Sequence, residues 1–113
     1  MVKDSLYFGS FSFGSKHGVG LIKTKKHNSY LGHWDNNRRY GFGMEHFENC
    51  DMYFGDFVLD CRSGVGKYCH RQSGFVYLGD IENGHRQGFG KLESANMIYI
   101  GSWVKDEREG WGY

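Results

Sequence analysis

Proline is absent from these 113 residues, and aliphatic side chains are too few to wrap a thick core. No apolar run approaches the roughly 20 residues needed to span a bilayer, and Met1–Leu6 does not have the form of a signal peptide. An excess of one charge is missing too. Lysine and arginine number 14 and acidic residues 13, a formal net charge of +1, so no global field draws the chain toward nucleic acid or membrane. The cysteines, Cys50, Cys61 and Cys69, are odd in number and lack paired spacing. That fits reduced thiols in a cytoplasmic setting better than a secreted disulfide framework. Helical periodicity is absent, and no linker divides the chain.

Glycine and rings are present in excess: 18 Gly, 3 Trp, 8 Tyr and 9 Phe. So many rings exclude a disordered linker, and rings beside glycines suggest a thin sheet. Their order shows a repeat, the feature that decides a fold before any other. Counting Tyr7, Tyr30, Tyr53, Tyr77 and Tyr99 each as position zero, the repeats start 23, 23, 24 and 22 residues apart. Position two is glycine every time: Gly9, Gly32, Gly55, Gly79 and Gly101. Position four is Phe11, Trp34, Phe57, Ile81 and Trp103. Positions eleven and thirteen are again glycine, from Gly18 and Gly20 in the first repeat to Gly110 and Gly112 in the last. Spacing varies only between repeats, never inside the frame.

Each frame reads as a β-hairpin. Positions six and seven are Phe13-Gly14, Asn36-Asn37, Leu59-Asp60, Asn83-Gly84 and Lys105-Asp106. Position seven is always Gly, Asn or Asp, residues that tolerate positive φ, and Asn-Gly is a strong two-residue turn signal. A loop at those two residues makes paired positions sum to thirteen. Position two then faces eleven, glycine on glycine, and each tyrosine lies across the glycine at thirteen, covering its backbone. Position four meets a cation at nine: Lys16, Arg39, Arg62, Arg86 or Arg108. By this register Arg108 stacks on Trp103. On the other face, position one meets twelve in apolar pairs: Phe8 with Val19, Leu31 with Phe42, Phe54 with Val65, Leu78 with Phe89, and Ile100 with Trp111. Second turns are expected near Lys26-His27-Asn28, Glu48–Asp51, Arg71–Gly74 and Ser94–Asn96. The expected fold is all-β: a single-layer twisted antiparallel meander of nine or ten strands, roughly 45 Å long at the usual strand spacing. Residues 1–6 form a lead-in, and 7–113 form the array.

Tyr-x-Gly-x-Trp followed by Gly-x-Gly at this spacing resembles the MORN repeat (membrane occupation and recognition nexus), and the resemblance covers Tyr7 to Tyr113. The clearest unit is Tyr77-Leu-Gly-Asp-Ile-Glu-Asn-Gly-His-Arg-Gln-Gly-Phe-Gly90, where Ile81 occupies a place that usually holds a ring. Asn37, Asp60 and Asp106 stand where the family often has glycine, and only Gly74 matches the usual glycine of the second turn. The resemblance implies a scaffold or targeting module. Similar repeats occur in junctional membrane proteins, flagellar and ciliary components, cytoskeletal organisers, lipid kinases and methyltransferases, so it implies no single partner.

Two surfaces are candidates for binding. A single-layer sheet leaves a face of its rings open, and Tyr30, Trp34, Tyr53, Phe57, Tyr77, Tyr99 and Trp103 share one face as an expected partner-binding groove. The second is the cation ladder Lys16, Arg39, Arg62, Arg86 and Arg108, able to meet anionic lipid or simply to stack on the facing rings. Acidic neighbours such as Asp35, Asp56, Asp80 and Glu82 favour stacking. No enzyme is visible. Cys69-His70 are adjacent in a strand and so point to opposite faces. Gly18-Val-Gly20 and its equivalents open no helix and are not phosphate loops. Cys61, Cys69 and a histidine could meet zinc only if the fold gathered them, and the histidines lack metal spacing. We expect no catalytic residue, no metal and no cofactor. Lys23, Lys25 and Lys26 form the one basic cluster, which argues against nucleic acid. The expectation is a non-enzymatic scaffold or targeting module that binds a cytoskeletal, ciliary or membrane-associated protein, with a phosphoinositide or other anionic membrane, or a regulatory role within a larger protein, as the alternatives. The fifth repeat stops at Gly112-Tyr113 as its second strand begins. A larger protein, or end-to-end pairing of copies, is expected to complete that edge.

Overall fold

A computed structural model of the protein describes residues 5–24 and 28–112, with side chains as far as Arg108. Ten strands follow in chain order: β1 Ser5–Ser12, β2 Ser15–Thr24, β3 Ser29–Asp35, β4 Arg38–His46, β5 Met52–Val58, β6 Cys61–Cys69, β7 Val76–Glu82, β8 His85–Glu93, β9 Ile98–Val104 and β10 Glu107–Gly112. They make one sheet in that same order, each strand antiparallel to the next. The molecule measures 48 × 25 × 20 Å, its long axis close to the length expected from strand spacing. Among the described residues there is no helix. The all-β, single-layer antiparallel meander is the fold of this chain.

Odd-numbered strands lead into tight turns whose two central residues both have positive φ, from 49° and 80° at Phe13-Gly14 to 46° and 73° at Lys105-Asp106. These are the mirror-image hairpin turns whose twist suits the flanking strands. Phe13, Leu59 and Lys105 hold that conformation despite their Cβ atoms, which position seven alone did not predict.

The register corrects the simple sum. Near the turn it holds: Phe11 faces Lys16, Trp34 faces Arg39, Phe57 faces Arg62, Ile81 faces Arg86 and Trp103 faces Arg108. One step further out, Gly9 pairs with Gly20 and Gly32 with Gly43, so position two meets thirteen, not eleven. Three residues of the even strand oppose one of the odd strand in each hairpin. The glycine at eleven sits in that bulge with left-handed φ, 82° at Gly18 and 122° at Gly64. The side chain at position three closes two of the bulges: Asp56 Oδ2 accepts from Val65 N–H at 3.1 Å and Asp80 Oδ2 from Phe89 N–H at 3.0 Å. A bulge of this kind bends the strand and increases its twist.

Two expected pairings change as a result. The first four tyrosines are each paired with position fifteen, for example Tyr30 with Glu45 and Tyr53 with Tyr68, and reach their glycines diagonally. Position one meets fourteen, not twelve: Phe8 with Leu21, Leu31 with Met44, Phe54 with Lys67 and Leu78 with Lys91. The pairs predicted with Val19, Phe42, Val65 and Phe89 therefore do not form. The Lys26-His27 turn, Lys25 and Lys26 of the basic cluster, the Ile100–Trp111 pair and Tyr113 lie outside the described residues or side chains. The strand begins at Ser5, two residues ahead of the first tyrosine.

Candidate functional site

The ring face is built from a local device repeated five times. Each position-zero tyrosine leans over the glycines beside it and donates its hydroxyl to the carbonyl of position three. Tyr7 reaches Ser10 O (2.8 Å), Tyr30 His33 O (3.0 Å), Tyr53 Asp56 O (3.0 Å), Tyr77 Asp80 O (2.7 Å) and Tyr99 Ser102 O (2.9 Å). A Cβ at Gly20, Gly43, Gly66 or Gly90 would run into the ring of Tyr7, Tyr30, Tyr53 or Tyr77. The glycines at thirteen are seats for these rings, as the sequence suggests, although they are not their cross-strand partners. Tryptophan at position four reaches back one repeat: Trp34 Nε1 donates to Gly20 O (3.1 Å) and Trp103 Nε1 to Gly90 O (3.2 Å).

Bending by the bulges brings the rings of successive repeats edge to face. Tyr7 meets Trp34 at 5.6 Å, Tyr30 meets Phe57 at 4.9 Å and Tyr77 meets Trp103 at 5.5 Å between centroids. Such T-shaped pairs each contribute about 1 kcal/mol beyond area burial. The chain of rings is interrupted once, between Tyr53 and Tyr77, because Ile81 stands where a ring would meet Tyr53. The packing is close enough that Tyr53 and Tyr77 are fully buried, and Phe57, Tyr30, Trp103 and Trp34 are exposed by 7% or less. Tyr99 alone of the seven expected groove residues is half-buried. The expected open ring surface is therefore a closed core, since rings of successive repeats and the cations above them cover one another. Burial pushes the phenols of Tyr30, Tyr53 and Tyr77 up to about 12.

The cations lie over this core and stitch repeats together. Lys16 stands over Trp34 (5.6 Å) and Tyr7 (5.5 Å), Arg39 over Phe57 (4.9 Å) and Tyr30 (5.6 Å), and Arg86 over Trp103 (4.5 Å) and Tyr77 (6.0 Å). In each of these the cation reaches the next repeat's position-four ring, not the position-four side chain it faces across its own hairpin. Arg108 stacks on Tyr99 at 5.3 Å, not on Trp103 as expected. Arg62 has no ring at Ile81 to reach and lies among Phe47 (5.4 Å), Tyr53 (5.8 Å) and Tyr68 (5.9 Å) instead.

Position seven of the following repeat holds two of these cations, Arg39 and Arg86, a role the sequence reading missed by treating it only as a turn residue. Asp60 Oδ1 accepts from Arg39 N–H (2.9 Å) and Nε (3.1 Å), and its carbonyl accepts from the Arg39 guanidinium at 2.6 Å. Asp106 does the same for Arg86 at 2.9, 3.2 and 2.8 Å. Asn37 Oδ1 accepts from Lys16 N–H at 2.8 Å. The available signal was the acidic or amide residue standing where glycine is usual, 20 or 21 residues after each cation. Burial alone raises the Asp106 carboxyl, but hydrogen bonds from Arg86 and His85 hold it below the ordinary carboxylate value. Glu45 joins the ladder through Arg39, 3.3 Å from its guanidinium.

Two concavities open on this face at repeat junctions. One, of about 370 Å³, is lined by Lys16, Ile22, Tyr30, Trp34, Arg39 and Asp60 among others. The second, of about 380 Å³, lies over the interruption at Ile81, between Arg62, Tyr68 and Arg86. The opposite face carries exposed apolar side chains at positions one and twelve, including Phe8, Leu31, Phe42 and Phe89. The three cysteines are free; Cys50 and Cys61 are exposed. No helix among the described residues is long and apolar enough to cross a membrane.

A single antiparallel sheet of like hairpins, with ring and cation contacts between successive repeats, defines a β-repeat protein. The MORN repeat model matches residues 7–27, 30–49, 77–96 and 99–112, and the chain belongs to that family. The unmatched stretch around Tyr53 builds its hairpin β5–β6 with the same register and the same tyrosine bond. The chain is 30% identical to alsin of Homo sapiens over 122 aligned residues, covering 98% of this chain and 7% of alsin. MORN repeat-containing protein 3 of Xenopus laevis is 33% identical over 71 residues, 57% of this chain and 30% of that protein. The ALS2 C-terminal-like protein of Bos taurus is 30% identical over 94 residues, 79% of this chain and 10% of that protein. The chain thus spans a small part of these relatives. Repeats of this family serve generally as interaction modules and not as enzymes.

Proposed function

We propose that this chain is a non-enzymatic protein-interaction module that seats a partner segment along the ring-and-cation face. The observation that supports this is the pair of concavities at repeat junctions, floored by Tyr30, Trp34, Tyr77 and Ile81 and rimmed by Lys16, Arg39, Arg62 and Arg86. Preformed concave sites with apolar floors and a few placed polar groups are where partners insert side chains. In this reading Tyr30, Trp34, Tyr53, Phe57, Tyr77, Tyr99 and Trp103 shape the groove from beneath, and the cations make the direct contacts. The partner is a cytoskeletal, ciliary or membrane-associated protein, and the site of action is cytoplasmic.

The rival is an anionic membrane reached through Lys16, Arg39, Arg62, Arg86 and Arg108. Against it, Asp60 and Asp106 already hold Arg39 and Arg86, so two rungs of the ladder present little free charge. Proximity labelling in the native cell, paired with liposome flotation, tests the choice. Ring variants are unsuitable because the rings are core; Lys16→Glu with Arg62→Glu probes the rim, and Phe42→Ser with Phe89→Ser probes the opposite face. Loss of labelled partners in the rim variant alone is expected. Loss only in the opposite-face variant moves the interface there, and rim-dependent flotation with an unchanged partner list assigns the ladder to lipid.

A further inference from the structure

The fourth repeat differs from the third and the fifth at two positions, and both differences fall on one residue. Arg39 and Arg86 each have a ring beyond them, Phe57 and Trp103, and a carboxylate clamp, Asp60 and Asp106. At the junction of the third and fourth repeats the ring is replaced by Ile81 and the clamp by Gly84. Gly84 keeps the backbone part of the contact, donating to Arg62 O at 2.8 Å as Asp60 and Asp106 do to their own arginines. It has no oxygen to offer the guanidinium. A side chain built at Gly84 would point at Arg62, whose terminal nitrogen lies 3.5 Å from the Cβ position.

Among the described residues, none accepts a hydrogen bond from the Arg62 side chain. The nearest carboxylate oxygen, Glu45 Oε1, is 4.0 Å from Nε and is itself buried without a hydrogen-bond partner. Glu45 instead binds Arg39 through its other oxygen. Arginine presents five donors in a fixed fork suited to a carboxylate, and here that fork faces the concavity of about 380 Å³. The floor beside it is the buried Ile81 side chain, an apolar contact next to a charged one.

We propose that this concavity is a recognition pocket for an acidic side chain of the partner, with Arg62 binding the carboxylate and Ile81 an adjacent aliphatic residue. The incoming carboxylate takes the place that Asp60 and Asp106 fill at the sister junctions, so the chain itself supplies the template. A single carboxylate fits better than a phosphate headgroup, because Asp106 lines the site and Glu45 lies 4.0 Å from Arg62 Nε, and both disfavour a multiply charged ligand. The proposal rests on the ring-face reading above and specifies its partner chemistry.

The chain's own sequence provides the test. Gly84→Asp restores the missing clamp, and its backbone already has the required conformation: φ is 81° at Gly84, 70° at Asp60 and 73° at Asp106. The full chain is applied to immobilised octapeptides with one fixed glutamate among randomised aliphatic residues, beside a matched glutamine set. Wild type is expected to prefer the glutamate set by about tenfold, the usual size of a charge-assisted bond. Gly84→Asp and Arg62→Gln should each reduce that preference below about twofold. No preference in wild type, or one unchanged in Gly84→Asp, overturns the proposal. A parallel arm uses phosphatidylcholine vesicles with and without phosphatidylserine. Binding there that Gly84→Asp abolishes, with no glutamate preference, reassigns the pocket to lipid and also overturns it. If the glutamate preference is absent while rim variants still lose their cellular partners, this inference fails and the ring-face reading stands.

Discussion

The position-zero tyrosine is the smallest unit of this architecture, and its hydroxyl is as necessary as its ring. Five hydroxyls bond five position-three carbonyls, which phenylalanine could not do. Tyr53→Phe leaves the Asp56 carbonyl without that donor and should cost about 1 kcal/mol, read by urea unfolding. An unchanged midpoint would show the bond to be dispensable. Strain sits at position six. Leu59 has a φ of 47° and an exposed side chain, whereas Asn36 and Asn83 occupy the equivalent place in other repeats. Leu59→Asn should therefore stabilise the fold by about 1 kcal/mol, because asparagine tolerates the left-handed region that leucine resists. Equal or lower stability would mean that Leu59 makes a contact worth more than its strain. Both residues were legible in sequence as types. Their effects were not, since hydroxyl geometry and φ are properties of the folded turn.

A hairpin by itself is a marginal element; here the second is fastened to the third, and the fourth to the fifth, by a ring, a cation and a clamp. Asp60 receives three bonds from Arg39 through its side chain and carbonyl and donates its own N–H to Arg39 O. Asp60→Ala removes the side-chain part and should lower stability by about 1 kcal/mol, the scale of a partly exposed charge-assisted contact. The paired Arg39→Gln/Asp60→Ala variant should then be less destabilised than the sum of the two single changes. Strict additivity would dissolve the clamp as an interaction. At this scale the sequence showed which residues face each other beside the turn. It did not show that the cation stacks forward, because a chain position says nothing of which neighbouring repeat a long side chain leans toward. The two-residue bulge was equally hidden: the glycines at eleven were visible, but a positive φ there shifts the register only once the strands pair.

For the molecule as a whole, stability passes from repeat to repeat through ring contacts, since the strands pair only in chain order. That makes the fold sensitive to ionisation of its tyrosines. Burial raises Tyr30, Tyr53 and Tyr77 to about 12, and burial with hydrogen bonding to Asp51 does the same for Tyr68. A folded pKa above the unfolded value of about 10 means that the contribution is whole below pH ~10 and is lost as pH rises through about 12. Sheet circular dichroism should therefore collapse in that interval together with the rise of tyrosinate absorbance. Tyrosines that all titrate near 10 with the sheet intact would contradict the burial. The opposite end of the scale is guarded by Asp51, buried in the turn between β4 and β5. Burial pushes its carboxyl up, but bonds from Arg71 N–H, Tyr68 and Asn49, with His70 opposite, bring it below its ordinary value. Its contribution is accordingly present above the unfolded carboxylate pKa and fades as pH falls through the lower folded one.

The repeat frame alone determined the hairpins, their turns, the meander and the family, because glycine, ring and turn residue at fixed spacing leave one local solution. The same frame marked Ile81 as a departure and Gly84 as ordinary. Only the tertiary structure decided that the rings form a core and not an open surface. Bulges curl the sheet, and a curled sheet brings side chains 20 or more residues apart into contact. The same curl lines one concavity with Arg62, Ile81 and Gly84, joining two separate positions of the frame into one pocket.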